Sequence, residues 1–159
     1  MTGTPEASVI TKIVIKNFRR FKDSTIDFTP GLNILVGDND SGKSTVIEAI
    51  NLVLTSRWQG KYLGTDLSPH LLNADSVADY VTGLRNGANP TPPEIVIELF
   101  LADSSDLTTL KGTNNSLLED APGLRLTAFL DPDFAEEYKA FVQDPAQVKS
   151  VPTEYYRVE

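Results

Sequence analysis

The sequence predicts an α/β fold in which an antiparallel β subdomain sits beside a strand, a loop and a helix. Three observations point there. Runs rich in β-branched residues at Val9 to Phe18, Ser24 to Phe28, Glu94 to Ala102 and Leu124 to Leu130 alternate as strands do. An apolar run, Leu32 to Val36, is followed directly by a glycine-bearing loop and then by apolar positions at helical spacing. Finally, 159 residues with 40% hydrophobic content suffice for one compact domain.

In chain order, the first eight residues are small and polar and are expected to be disordered. In the first strand, Ile13 and Ile15 stand between Lys12 and Lys16, and Arg19, Arg20 and Phe21 follow it. The second strand closes at Thr29-Pro30-Gly31, a turn signal. Leu32 to Val36 is apolar on both faces, the pattern of a buried strand. Val46, Ile47, Ala49, Ile50, Val53 and Leu54 then define an amphipathic helix from Gly42 to about Ser56, packed on the sheet. Residues 57–93 carry scattered Gly and Pro and are expected to form an irregular, partly mobile insertion with a short helix around Asp75 to Leu84. Between the two later strands lies a polar stretch, with one helical turn expected at Asp106 to Leu110. Asp131 reads as an N-cap with Pro132 at the first helical position, opening a helix through Val142. Tyr155 to Val158 reads as a strand fragment.

Composition narrows the partners. No apolar run approaches the ~20 residues of a membrane helix, and the N-terminal stretch lacks the apolar centre of a secretory signal. A cytoplasmic protein with no membrane contact is expected. The absence of cysteine removes disulfide frameworks and Cys-ligated zinc. A net charge of −8 is the wrong sign for gripping nucleic acid over the whole surface. Residues 1–61 are nevertheless net +2 and residues 62–159 net −10, so any surface that meets DNA or a nucleotide belongs to the first third.

Residues 37–45 read G-D-N-D-S-G-K-S-T, a full match to the phosphate-binding pattern G-x-x-x-x-G-K-S/T. A triphosphate needs many donors at short range, and backbone N–H groups from Asp40 to Thr45 supply them if the loop wraps the β-phosphate. Gly37 and Gly42 permit the close approach. Lys43 would stand between the β- and γ-phosphates, and Ser44 would offer its hydroxyl to Mg²⁺. Thr45 adds a donor toward the α-phosphate. The expected nucleotide-binding set is therefore Gly37, Asn39, Asp40, Ser41, Gly42, Lys43, Ser44 and Thr45, with ATP and Mg²⁺ as ligands and Ser44 as the metal contact. Asp38 and Asp40 would repel a triphosphate unless they face outward or help to organise the metal. Asp40 falls at a turn position where a left-handed backbone is tolerated.

The arrangement I-T-K-I-V-I-K-N-F-R-R-F, then I-D-F-T-P-G-L-N-I-L-V-G-D-N-D-S-G-K-S-T-V-I-E-A-I, resembles the N-terminal lobe of ABC-type ATPases that act on DNA. That group includes RecF recombination mediators, SMC proteins and OLD (overcoming lysogenization defect) family nucleases. Asp40-Ser41 and the strand P-E-I-V-I-E-L-F resemble OLD most. The resemblance implies a P-loop NTPase, an ABC-type N-terminal lobe with an antiparallel β subdomain, over residues 9–159, as a fragment of a longer protein. It implies that Arg19 or Arg20 contacts the nucleotide base or phosphates. It also implies a homodimer or homo-oligomer through the rest of the ATPase head, and DNA as the partner of the full-length protein.

ABC-type hydrolysis further requires a signature loop, a Walker B acidic pair and a switch histidine, and none is identified. Leu126 to Asp131 imitates Walker B, but Pro132 stands where an acid is needed. Asp120 to Gly123 fits the D-x-x-G of GTPases without the guanine-reading motif. His70 lacks a catalytic constellation and reads as an exposed loop residue, while Trp58, Tyr62 and Tyr80 read as packing residues before base-stacking ones. This chain is expected to bind ATP without hydrolysing it efficiently. The leading reading is the ATPase part of an OLD-like endonuclease. The alternatives are a RecF- or SMC-like repair ATPase without nuclease and a stand-alone nucleotide sensor.

Overall fold

The computed structural model describes residues 9–37 and 42–159, so the expectation for the first eight residues lies outside it. The chain runs β1 (Ile10–Phe18), β2 (Phe21–Asp27), α1 (Lys43–Thr55), a short hairpin β3 (Arg57–Trp58) and β4 (Lys61–Tyr62), α2 (Ala74–Arg85) and β5 (Ile95–Leu101). It continues through β6 (Lys111–Gly112), β7 (Ala121–Leu130), α3 (Ala135–Phe141) and β8 (Tyr156–Val158). Among the described residues the main sheet has the order β2-β1-β5-β7-β6, with β8 also on β7, and every pairing is antiparallel.

The two-residue period places one set of side chains on the core face. Ile13 lies opposite Leu99 and Ile15 opposite Ile97, which in turn faces Leu126. All five are buried, and α1 covers them with Val46, Ala49 and Leu52. The other face of β5 is closed as well. Glu98, only 2% exposed, accepts the Ser116 N–H at 3.0 and 3.1 Å and faces Arg125 at 3.6 Å. A buried carboxylate is stable only with such partners.

Residues 57–93, expected to be irregular, contribute to the core. Leu63, Leu71, Leu72, Tyr80, Val81 and Leu84 are all buried in the main cluster. Tyr80 donates to the Tyr138 hydroxyl at 3.2 Å, tying α2 to α3, and the Tyr156 hydroxyl donates to Pro93 O at 2.8 Å. Trp58 packs edge-on against Phe18, whereas Tyr62 is exposed rather than packed. Asp131 does cap: its carboxylate accepts from Asp133 N at 3.0 Å and pairs with Arg157 at 3.3 Å, so the Walker B imitation is a strand end and a cap.

Burial pushes the Tyr80 phenol up, helped by Tyr138, and burial with the nearby Glu94 charge does the same to Tyr156. Both folded values lie above the unfolded ~10. Their stability contribution is therefore complete below pH ~10 and is lost as pH rises beyond it. Urea midpoints should be flat from neutral pH to about 9 and fall steeply above about 10. Replacing both tyrosines by phenylalanine should flatten that alkaline fall.

Two expectations are corrected. Leu32 to Val36 is not a buried strand: Leu32, Ile34 and Val36 are 84%, 72% and 88% exposed, and no described strand pairs with them. A run apolar on both faces needs neighbours on both sides, and here only Leu35 packs against the core. Likewise Ile47 and Leu54 of α1 are 62% and 57% exposed, because they lie on the helix side away from the sheet. No helix of the described residues is long and apolar enough to cross a membrane.

Candidate functional site

The helix α1 begins where the glycine-bearing motif ends. Gly42 is its N-cap at φ 90°, a left-handed conformation that favours glycine. A Cβ there would lie 2.7 Å from Arg20 Cδ and 2.8 Å from Phe21 Cζ. Glycine is thus required by conformation and by space. Gly42 has no side chain with which to cap this terminus, and the first turn holds no acidic residue. Its N–H groups and dipole are left to an anion. Lys43 Nζ donates to Gly37 O, which draws the two ends of the loop together. Ser44 is exposed at the mouth and Thr45 is buried behind it. Asp38, Asn39, Asp40 and Ser41 lie outside the described residues.

The turn between β1 and β2 hangs over this terminus. Phe18 pairs with Phe21, so Arg19 and Arg20 form the connection. Asn17 and Arg19 both have left-handed φ values, 53° and 50°, which cost energy for residues with a side chain and persist only where neighbours enforce them. The neighbours come from the segment leading into α2. Arg19 N donates to Leu71 O at 2.7 Å, Asn73 N to Asn17 O at 2.9 Å, and Asn73 Nδ2 to Arg19 O at 2.8 Å. Asn73 is also the buried N-cap of α2, accepting Ser76 N at 3.1 Å, while Ser76 Oγ donates to Asn17 Oδ1 at 2.7 Å. The sequence reading missed this network. Its signal was the sequence N-A-D-S, a cap ahead of a helical stretch.

The two arginines do different things. Arg19 is engaged by Glu48 of α1 and lies 5.6 Å over the Trp58 ring, so it braces the turn against α1. Arg20 reaches across Gly42. A cleft of about 460 Å³ is lined by Arg19, Arg20, Gly42, Ser44, Thr45 and His70, with Leu72 and Ala74 beside them. It therefore brings the described end of the motif, both arginines and the single histidine onto one concavity.

The cradle fits a phosphate chain. Gly42 leaves no side chain at the start of α1, where a Cβ would press on Arg20 and Phe21, and the cleft is lined by two arginines. It fits Mg²⁺ through the Ser44 hydroxyl, since a magnesium bound with phosphates needs few protein ligands. Among the described residues no cluster of three His, Asp or Glu suits a metal by itself. A second cavity, of about 200 Å³, lies between β5, β7 and residues 109–115, but Glu98 on its wall is already satisfied by Ser116 and Arg125. Asp120 precedes β7 and Ala121 to Gly123 are its first residues; a Cβ at Gly123 would meet Leu99 O at 2.7 Å, so that glycine serves strand approach.

Known proteins resemble this chain in sequence. A family model for the AAA domain matches residues 12–106. The DNA replication and repair protein RecF of Acetivibrio thermocellus is 48% identical over 48 residues, covering 30% of this chain and 13% of that protein. RecF of Lactococcus lactis subsp. cremoris is 28% identical over 130 residues, covering 82% of this chain and 34% of that protein. The DNA double-strand break repair Rad50 ATPase of Methanopyrus kandleri is 45% identical over 49 residues, covering 31% of this chain and 6% of that protein. The chain therefore spans a minor part of the length of each relative. The antiparallel sheet beside the motif-bearing helix is that of a P-loop NTPase with an ABC-type lobe. With well over half of its residues matched by that family model, the chain belongs to the AAA domain family.

Proposed function

We propose that this chain is the ATP-binding segment of a RecF-, SMC- or Rad50-like DNA-repair ATPase, taking Mg²⁺·ATP into the cleft at the start of α1. The observation that carries the reading is the glycine-led N-terminus of α1, which shares one cleft with Arg20, Ser44 and Thr45. In it, Lys43 holds the β- and γ-phosphates and Ser44 the metal, while Asn39, Asp40, Ser41 and Gly42 wrap the β-phosphate. Arg20 is the nucleotide-contacting arginine, and Arg19 positions it. The repair-ATPase reading takes precedence over the OLD-like endonuclease because the repair relatives extend across most of the chain.

This chain binds ATP without hydrolysing it efficiently on its own, since no signature loop or Walker B pair is identified in it. Titration of the purified protein with Mg²⁺·ATP should give saturable binding, with phosphate release at background. Absence of binding would remove the reading. Rapid hydrolysis by this chain alone would remove the division of labour. In the longer protein, DNA cleavage requiring Mg²⁺ would restore the endonuclease, whereas DNA-stimulated ATPase without cleavage supports the repair type.

The whole protein is proposed to act on DNA in the cytoplasm, as a dimer through the rest of its ATPase head. Support for a covering partner is the exposed apolar run Leu32, Ile34 and Val36. The isolated chain should self-associate with rising concentration in sedimentation runs. Ile34→Lys with Val36→Lys should shift it toward monomer without lowering the thermal midpoint.

A further inference from the structure

We propose that the connection between β6 and β7 is a docking knob for a basic, leucine-bearing helix of a partner protein. The proposal is independent of the nucleotide reading. Leu118, near the tip of this connection, has φ 56° and is 79% exposed. A left-handed backbone is unfavourable for a bulky side chain, and so is an apolar side chain left in water. A leucine that bears both costs is kept for something other than the folding of this chain.

The tip is held firmly, so its conformation is not that of a loose loop. Asn115 Oδ1 accepts Leu117 N at 3.2 Å and Glu119 N at 3.1 Å, and Asn115 Nδ2 donates to Glu119 O at 2.7 Å. Leu118 N closes a turn onto Asn115 O at 3.2 Å. Two contacts then pin the tip to the sheet: Ser116 N donates to the buried Glu98 at 3.0 Å, and Lys12 Nζ donates to Glu119 at 2.7 Å. Leu118 is thus presented at a fixed place, with little freedom to lose when it is covered.

The surroundings specify what covers it. Leu110 and Leu117 are also partly exposed, and Leu110 lines the cavity of about 200 Å³ with Asn114, Asn115, Leu99 and Leu124. The knob therefore has a hollow beside it, which suits an apolar side chain of the partner. Residues 103–120 carry four acids, Asp103, Asp106, Glu119 and Asp120, against Lys111 alone. Lys111 pairs with Asp103 and Lys12 with Glu119, which leaves two negative charges over. An apolar knob amid excess negative charge selects a segment that combines leucine with lysine or arginine. A second copy of this chain, itself net −8, is the poorer match.

The test uses a labelled synthetic amphipathic helix of leucine and lysine, and a twin in which glutamate replaces every lysine, read by fluorescence anisotropy. The unaltered protein should bind the lysine peptide saturably, and more weakly as salt is raised, and should not bind the twin. Leu118→Asn should weaken binding about tenfold, as loss of a central apolar contact does. Asparagine tolerates the left-handed backbone, so this variant should keep or raise the thermal midpoint. Asp106→Asn with Asp120→Asn should weaken binding and flatten its salt dependence. Failure of the unaltered protein to bind the lysine peptide overturns the proposal. So does equal binding of both peptides, or binding undiminished in Leu118→Asn, which reports only general attraction to an acidic protein. A clear fall in the thermal midpoint of Leu118→Asn assigns the leucine to the fold, and a shift of that variant toward monomer in sedimentation assigns the tip to a second copy; either removes the partner.

Discussion

Lys43→Ala should abolish ATP binding in a titration calorimeter. The ammonium is the one cation of the motif, and in the structure it already reaches the Gly37 carbonyl at the far end of the loop. A charged hydrogen bond contributes ~1.5–3 kcal/mol. Losing contacts to two phosphates then lowers affinity by about two to four orders of magnitude. The side chain is half-buried and is not among the core residues, so the variant should remain folded, with at most a small fall in its thermal midpoint from the lost bond to Gly37. Undiminished binding by a folded variant would refute the assignment of the phosphate site.

The second large effect concerns a residue outside the motif. Asn73→Ala should lower stability by about 2–4 kcal/mol: ~1 for the lost N-cap of α2 and ~1–3 for leaving the Arg19 carbonyl without its donor. Against a total of ~5–15 kcal/mol for a typical domain, that is a large share. Because the same carbonyl anchors the left-handed Arg19, the turn should loosen and ATP affinity should fall with it. Urea unfolding checks the first effect and nucleotide titration the second. Asn73→Ser keeps an N-cap and should recover about 1 kcal/mol. A loss below about 1 kcal/mol in Asn73→Ala would contradict the bracing role given to this network.

What could be read from the sequence was what local chemistry decides. β1, β2, α1, β5 and β7 each advertise themselves by period, and Asp131-Pro132 announces its own cap. The antiparallel pairing of the β5 stretch followed from its alternation, although Glu98 shows that the second face is buried too. The phosphate motif was legible because its pattern is itself a backbone geometry. The misreadings were non-local. Leu32 to Val36 reads as a buried strand, but a strand is buried only where something pairs with it, and nothing in the run itself names that partner. In residues 57–93 glycines and prolines mark the breaks, but nothing local tells that Leu63, Leu71 and Leu72 close the core from between them. The separate duties of Arg19 and Arg20 depend on Glu48, Trp58 and Gly42, which no reading of adjacent letters brings together. His70 entered the site for the same reason.

In the function proposed, one cleft, built by the start of α1, the β1–β2 turn and the segment before α2, holds Mg²⁺·ATP. Amide chemical-shift mapping of the protein under Mg²⁺·ATP titration tests it most directly. The expected result is saturable movement concentrated at Gly42 to Thr45, at Arg19 and Arg20, and at His70 to Ala74, with β6 and α3 still. Shifts gathered instead around Glu98 and residues 109–115, or no saturable shifts at all, would contradict it.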